Sequence, residues 1–231
     1  MLVDAGLSRR EITRRLAAIG ERIEDLDAIL ITHEHGDHVC GLASIVRKLN
    51  IPVYLTNPTA ASIDWQLQVR LEFFQAGCGF PVGDFEVKSF TVPHDAIDPV
   101  GYTLCAEGIR FGVVTDLGYM PDSIKVHLRG ANVVLLESNH DLDMLKDGSY
   151  PWSVKQRVMS RRGHLSNEVV ARFIRSDLDC TVTTLVLGHL SEHNNHPELV
   201  RQSALNALDG RTLFTKLVIA EPGIQSETFV Y

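Results

Sequence analysis

The chain has 231 residues, 45% of them hydrophobic and 22% charged, and its formal net charge is −7 at pH 7. This composition predicts one domain with a sizeable core, and no apolar run reaches the length of a transmembrane helix or has the pattern of a signal peptide. The acidic balance argues against indiscriminate coating of nucleic acid, although it leaves room for a local basic groove.

The first part of the chain predicts strands and helices in alternation. The expected elements are a strand running into a loop over 1–6, a helix from Ser8 to Gly20 with Ile12, Leu16 and Ile19 inward, a strand into His33, a helix at 41–46, a strand at 52–56 and a helix at 59–69. Ser8 and Glu11 have the spacing of a capping box at the first helix.

The rest of the chain is first β-rich and then alternates again. The expected elements are a strand at 85–90, a hairpin of 101–105 and 109–115, helices at 123–128, 151–160, 167–174 and 197–208, and strands at 133–136, 184–187, 217–220 and 227–230. This order predicts an α/β fold in which two mixed sheets pack face to face with helices outside, as a single domain over residues 1–231.

Four cysteines are widely scattered, at positions 40, 78, 105 and 180, and no two form a CxxC pair. The pattern favours free, mostly buried thiols over a disulfide framework. It therefore predicts a reducing, cytoplasmic location.

The segment Thr32-His33-Glu34-His35-Gly36-Asp37-His38 follows the apolar run Ala28-Ile29-Leu30-Ile31. Alternate side chains of an extended strand point to the same side, so the first two histidines converge, and Gly36 lets the backbone turn towards Asp37 and His38. Imidazole and carboxylate ligands suit zinc, iron or manganese. The spacing indicates two adjacent metal positions; the alternative is a polar loop in which Asp37 caps a helix.

Further polar residues follow other predicted strands. These are His94, Asp116 and His189, together with Asp4 after the first strand. Asp116 is placed where one carboxylate could bridge two ions, and Asp4 where it could orient a ligand from outside. Alone, each is weak support for a site, but the ordered series Asp, HxHxDH, His, Asp, His is specific.

In that series the chain resembles the metallo-β-lactamase-fold hydrolases, whose αββα sandwich carries these motifs in this order. The resemblance implies that His33, His35 and His94 hold a first divalent metal ion, and that Asp37, His38 and His189 hold a second. Asp116 would bridge the two ions, which would be Zn²⁺ or Mn²⁺, with iron as a further option. An aspartate at this position looks like the phosphodiesterase and glyoxalase branches of the family.

The chain is more similar still to the WalJ/YycJ-type subgroup, proposed bacterial 5′–3′ exonucleases acting on DNA. The segments that carry this likeness are 4–8, 94–96, 98–102, 115–119, 136–141, 150–153 and 163–167. Members of the subgroup have about two further strands before the segment that opens this chain, so we expect a domain truncated at its N-terminus relative to the family.

Three residues are predicted to be catalytic: Asp37, Glu137 and His164. A hydroxide generated at the two ions would attack phosphorus in line. Glu137 and His164 look like a pair that in ribonuclease Z-type relatives positions a proton donor, so His164 is the expected general acid, worth about 10²–10⁴ in rate. The alternative for His164 is a place in the cap of the helix that follows, where Ser166 is a good N-cap.

Nucleic acid, as DNA single strands or ends, is the expected partner, with no membrane. The candidate substrate contacts are His140, Lys155, Arg157, Arg161 and Arg162, the last four in a basic cluster just before His164. Trp152 has the option of stacking on a base, but a position anchoring its helix in the core is favoured.

Two other functions remain open. One is a thioester or lactone hydrolase of the glyoxalase II type, which would use the same metals and be indifferent to His164 because a thiolate leaves without protonation. The other is a non-catalytic protein that binds metal for stability. The sequence does not distinguish DNA from RNA, and it leaves the oligomeric state open.

Overall fold

The computed structural model of the chain describes residues 1–65, 68–209, 211 and 214–231. Its contacts divide these residues into two compact units. Unit 1 comprises residues 1–91 and 96–100, and unit 2 comprises residues 92–95 and 101–231. Among the helices of the described part, none is long and apolar enough to cross a membrane. The expectation of a single domain stays a prediction.

Unit 1 is built on parallel strands. In chain order its elements are β1 (Leu2–Val3), α1 (Arg9–Ala18), β2 (Ile29–Leu30), α2 (Gly36–Val39), α3 (Leu42–Leu49), β3 (Val53–Thr56), α4 (Asn57–Ser62), β4 (Leu71–Phe74), β5 (Gly79–Val82) and β6 (Phe85–Thr91). Strands β1 to β4 lie side by side in chain order with parallel pairing, and β5 pairs antiparallel with β6. Ile29 of β2 and Val53 and Leu55 of β3 pack with Ile12 of α1 and Ile45 of α3 in one core.

Unit 2 contains a sheet whose later strands alternate with helices along residues 122–208. Its elements are β7 (Val100–Ala106), β8 (Ile109–Val114), α5 (Asp122–Leu128), β9 (Val133–Glu137), α6 (Leu142–Asp147), α7 (Trp152–Val158), α8 (Asn167–Ser176), β10 (Thr184–Gly188), α9 (Pro197–Leu208) and β11 (Lys216–Ile219). The strand order is β11-β10-β9-β8-β7. All neighbours are parallel except β7 and β8, which form the predicted hairpin.

Several expected elements differ from the structure. The helix expected over 59–69 ends at Ser62, where the Trp65 indole donates to the Ala60 carbonyl at 2.9 Å; residues 66 and 67 of that expectation lie outside the described residues. No strand forms over 227–230. There the Glu227 carboxylate binds the Lys216 amine at 2.6 Å. Ile19, expected inward, follows the last residue of α1 and is 41% exposed.

Candidate metal centre

In unit 1, parallel pairing brings Asp4 beside the histidine motif. Val3 at the end of β1 lies opposite Leu30 at the end of β2, so the residues that follow both strands meet at one edge. Asp4 Oδ1 accepts from the Thr32 backbone N–H at 2.8 Å, and its Oδ2 accepts from the Thr32 hydroxyl at 2.8 Å. His38 Nδ1 lies 2.8 Å from the same Oδ2. Asp4 therefore fixes the orientation of the His38 ring.

The same hydrogen bonds set which ring nitrogen each histidine presents. The Thr32 hydroxyl gives its only proton to Asp4, so it accepts from His33 Nδ1, 3.0 Å away. His33 and His38 then both turn Nε2 away from the strand ends. The His33 ring centroid lies 4.1 Å from that of His38 and 4.6 Å from that of His35. Imidazoles whose Nδ1 is anchored in this way present Nε2 as the donor atom for a metal.

The loop after β1 lies directly against the backbone of this motif. The Ala5 N–H donates to the His38 carbonyl at 2.7 Å. A Cβ on Gly6 would lie 1.5 Å from the Asp37 carbonyl oxygen. Only glycine allows this approach, so the packing holds the motif's backbone in place. Asp37 does not cap α2, whose N-cap is His35, and 66% of its side chain is exposed.

In unit 2, the carboxyl ends of three parallel strands supply the polar groups. Asp116 follows β8, Glu137 ends β9 and His189 follows β10. The register places Val114 opposite Leu136 and Gly188 opposite Glu137. These side chains therefore meet at one edge of the sheet, where the short segment 92–95 adds His94 and the loop before α8 adds His164.

The Asp116 carboxylate lies among three imidazoles. Its Oδ1 is 3.4 Å from His189 Nε2, 3.6 Å from His164 Nδ1 and 3.8 Å from His94 Nε2, and the side chain is only 3% exposed. Asp116, Glu137, His164 and His189 each offer a donor atom within 4.8 Å of the others. This set of nitrogen and oxygen donors fits a divalent metal ion.

Glu137 holds two of these histidines. It is fully buried, and its Oε1 accepts from the backbone N–H groups of Leu117 and Leu165 at 2.9 and 2.8 Å. Its Oε2 lies 3.1 Å from His164 Nδ1 and 3.4 Å from His189 Nδ1. With both oxygens engaged in this way, Glu137 acts as an anchor for the two rings rather than as a metal ligand.

His94 is anchored by a backbone carbonyl. Its Nδ1 donates to the Gly163 oxygen at 3.1 Å, so its Nε2 carries the lone pair. The Asp95 carboxylate lies 3.3 Å from that Nε2. A Cβ on Gly163 would come within 2.1 Å of the Val158 carbonyl, so this position requires glycine.

The pKa values follow from burial and pairing. Burial lowers the pKa of His94 against the opposing attraction of Asp116. Burial acts to raise the pKa of Glu137, but hydrogen bonds from His164 and His189 outweigh it and hold the pKa below its ordinary value. Burial likewise opposes protonation of His164, but the hydrogen bond and charge of Glu137 raise its pKa. His164 therefore keeps its proton to a higher pH than an exposed histidine.

Backbone strain is concentrated at the same positions. Asp4, Asp116 and His189 have φ angles of +58°, +56° and +55°, in the left-handed region that glycine favours. Each costs about 1–3 kcal/mol, and such residues persist only where surrounding contacts hold them. Strain of this kind is typical of functional sites.

The basic cluster is only partly available to a substrate. Lys155 does not join it, because its side chain is buried and its amine donates to the Lys146 carbonyl at 2.6 Å. Arg157 pairs with Asp95, and Arg162 Nε donates to the His94 carbonyl at 3.2 Å. The exposed Arg161 guanidinium lies 4.2 Å from the centre of the Tyr119 ring.

The environments of three other residues, Trp152, His140 and Ser166, can be compared with what the sequence indicated. Trp152, expected to anchor its helix in the core, is 62% exposed, so that expectation is wrong. His140 is buried, and burial lowers its pKa to about 4. Ser166 caps α8 as expected, accepting from the Val169 N–H at 3.4 Å.

The cysteines were predicted free and mostly buried. They are free, but Cys40, Cys78 and Cys180 are exposed and Cys105 is intermediate, so the predicted burial is wrong. The predicted cytoplasmic location stays a prediction.

Sequence reasoning did not identify three contributors to the site. Thr32 stands between the strand and the first histidine, where its hydroxyl links Asp4 to His33. The Gly163 carbonyl anchors His94 from 69 residues away, a contact that no local pattern signals. Asn139 donates to the His189 carbonyl at 3.0 Å, and its place just after β9 was the available signal.

The family profile of the β-lactamase superfamily domain matches residues 1–190. Exodeoxyribonuclease WalJ of Streptococcus pneumoniae serotype 2 is 39% identical over 219 residues, covering 90% of this chain and 80% of WalJ. Exodeoxyribonuclease YycJ of Bacillus anthracis is 38% identical over 213 residues, covering 90% and 81%.

Among solved structures, the metallo-β-lactamase fold protein YhfI from Bacillus subtilis superposes with a TM-score of 0.72 at 18% identity, covering 96% of this chain and 85% of YhfI. These matches confirm the fold predicted from the sequence. The chain belongs to the metallo-β-lactamase-fold family of hydrolases, with an α/β fold of two sheets flanked by helices.

Proposed function

We propose that this chain is a dinuclear metal-dependent phosphodiesterase, a 5′–3′ exonuclease acting on DNA single strands or ends. The observation that carries the proposal is the buried Asp116 carboxylate among three imidazoles, two of them anchored by Glu137. The named activity of the two exodeoxyribonuclease relatives supports DNA as the substrate.

The proposed metal ligands are the seven that the sequence indicates: His33, His35, Asp37, His38, His94, Asp116 and His189. Four of the histidines have Nδ1 held by a protein group, namely Asp4 for His38, Thr32 for His33, Gly163 for His94 and Glu137 for His189. Anchoring of this kind raises ligand basicity and fixes ring orientation. The donors suit Zn²⁺ and Mn²⁺ alike, with iron as a further candidate.

When held by these residues, two divalent ions would lower the pKa of bound water and would stabilise negative charge on the phosphoryl oxygens. The chain's own contribution is the proton for the leaving oxygen, and His164 is the proposed donor. Glu137 Oε2 holds its Nδ1 at 3.1 Å, which directs Nε2 and its proton away from the carboxylate. Because 21% of the His164 side chain is exposed, a substrate can reach the ring.

The proposed contacts to the DNA backbone are Arg161 and Arg162, with Arg157 as a further candidate; His140 is left out because it is buried. Arg161 is exposed over Tyr119, and Arg162 extends from the segment that also carries Gly163. Guanidinium groups bind phosphate through several donors at once. Lys155 is left out because its amine is engaged inside the unit.

The test is hydrolysis of single-stranded DNA by the metal-loaded protein and by His164→Ala, with a thioester assayed in parallel. We expect DNA turnover to fall about 10²–10⁴-fold in the variant while its metal content stays unchanged. His193→Ala, which removes an exposed histidine, is the matched control. Unchanged DNA turnover in His164→Ala would remove His164 from the mechanism, and thioester hydrolysis without DNA cleavage would replace the phosphodiesterase with the acyl hydrolase.

A further inference from the structure

The backbone of His189 adopts a conformation that a histidine rarely takes. Its φ of +55° lies in the left-handed region, directly after the extended end of β10. In this conformation the ring reaches Asp116 through Nε2 and Glu137 through Nδ1, at 3.4 Å each. A contact that holds the backbone of this residue therefore also places its ring.

Asn139 makes such a contact. Its side-chain Nδ2 donates to the His189 carbonyl at 3.0 Å, and its own carbonyl accepts from the Ser191 N–H at 2.8 Å. It thus binds the loop after β10 on both sides of Leu190. The Asn139 backbone N–H donates to the Leu165 carbonyl at 3.0 Å, next to His164. One residue, only 9% exposed, links the loops that carry two of the site's histidines.

A buried polar network fixes Asn139 in turn. The Ser138 hydroxyl donates to Asn167 Oδ1 at 2.8 Å, and Asn167 Nδ2 donates to Asn195 Oδ1 at 2.9 Å. Asn195 Nδ2 closes the ring by donating to the Ser138 carbonyl at 2.9 Å. These three side chains are 1%, 4% and 6% exposed, so their bonds are shielded from competing water. The peptide that leads into Asn139 therefore has little freedom to move.

We propose that Asn139 is a positioning residue that keeps the His189 imidazole in its metal-binding orientation. This inference rests on the proposed function, in which His189 is a metal ligand. Without the amide donor, the strained backbone of His189 is free to relax out of the left-handed region, and the ring leaves Asp116. Groups that orient metal-binding histidines typically contribute 10–100-fold to metal affinity.

The test is a zinc titration of the metal-free full chain, competed with a chromophoric chelator, for wild type, Asn139→Ala and Asn132→Ala. Asn132 is the matched control because it lies at the other end of β9, where its side chain accepts from the Arg110 N–H at 2.9 Å. We expect Asn139→Ala to weaken one zinc equivalent about 10–100-fold and Asn132→Ala to leave both unchanged. If Asn139→Ala fails to fold, the apolar isostere Asn139→Leu is measured in its place with the same expectation.

Wild-type affinity for both equivalents in the Asn139 variant would overturn the inference, as would an equal loss in Asn132→Ala. A wild-type protein that binds fewer than two zinc ions would overturn the proposed function itself, and the inference with it. The two failures are distinguishable because only the second is seen in the unmutated chain.

Discussion

Replacing Glu137 by Gln changes one atom and the charge of the group that anchors two histidines. The amide retains Oε1, which accepts from the Leu117 and Leu165 N–H groups, but it turns an NH₂ towards His164 and His189. Each Nδ1 must then accept rather than donate, which moves the ring proton to Nε2. A protonated Nε2 on His189 has no lone pair for a metal, and His164 loses the carboxylate that stabilises its charged form.

The size of the effect follows from these two losses. Removal of a group that orients a metal-binding histidine costs about 10–100-fold in affinity, so we expect zinc binding at His189 to weaken by that factor. Loss of an oriented general acid costs about 10²–10⁴ in turnover. The free energy of unfolding is expected to change by no more than about 1–3 kcal/mol, because the backbone bonds to Oε1 survive and a neutral amide is easier to bury than a carboxylate.

The assay combines zinc competition with a chelator, DNA hydrolysis at saturating metal and a melting curve. Glu86→Gln, at an exposed position of β6, is the matched control and is expected to behave as wild type. Retention of wild-type zinc affinity and turnover in Glu137→Gln would refute the assignment of Glu137 as the common anchor. A large loss of stability alongside the loss of function would show that Glu137 serves the fold instead.

Three further changes have defined outcomes. Asp116→Ala is expected to abolish metal binding, and full occupancy by metal analysis would contradict a bridging role. Replacing Arg161 and Arg162 with Gln is expected to lower the steepness of the plot of log affinity against log salt for single-stranded DNA by up to about 1.4, at about 0.7 per phosphate contact. An unchanged slope would show that neither arginine contacts phosphate. The pKa of His140 is about 6.5 in the unfolded chain and about 4 in the folded chain, so the unfolded chain takes up this proton first as the pH falls. The contribution of neutral His140 to the free energy of unfolding is therefore fully present above pH 6.5, and about 3 kcal/mol of it is lost as the pH falls to 4. Unfolding in EDTA should show this loss in wild type and not in His140→Asn, and equal pH dependence in both would show that His140 does not contribute.

Elements with a clear period or turn signal could be predicted from the sequence. The bounds of α9 agree with the expected 197–208 because Pro197 at its first turn and the apolar spacing both mark it. The hairpin of β7 and β8 was predictable from Glu107-Gly108, and both residues have positive φ angles, as the tight turn requires.

Short edge strands could not be predicted in the same way. In β5, Gly79 and Pro81 are residues that oppose strand formation, yet the strand pairs antiparallel with β6 and tolerates them, as edge strands do. In β4, Phe73 is 52% exposed, so the strand lacks the alternation of buried apolar and exposed polar residues that marks a strand in the sequence. In both cases the pairing partner, rather than the local pattern, determines the structure.

The candidate site also contains residues that could be predicted from the sequence and residues that could not. Residues directly after strands, such as Asp116 and His189, were predictable because parallel strand ends meet at one edge. Long-range anchors such as the Gly163 carbonyl and the Asn139 amide have no sequence period, because their positions depend on how separate loops pack.

The most direct test of the account is hydrolysis of single-stranded DNA labelled at one end, with zinc and manganese in parallel and metal content measured on the same preparation. A two-metal 5′–3′ exonuclease is expected to bind two ions per chain and to release mononucleotides progressively from the 5′ end. Two bound ions with no cleavage, or release from the 3′ end, would contradict it.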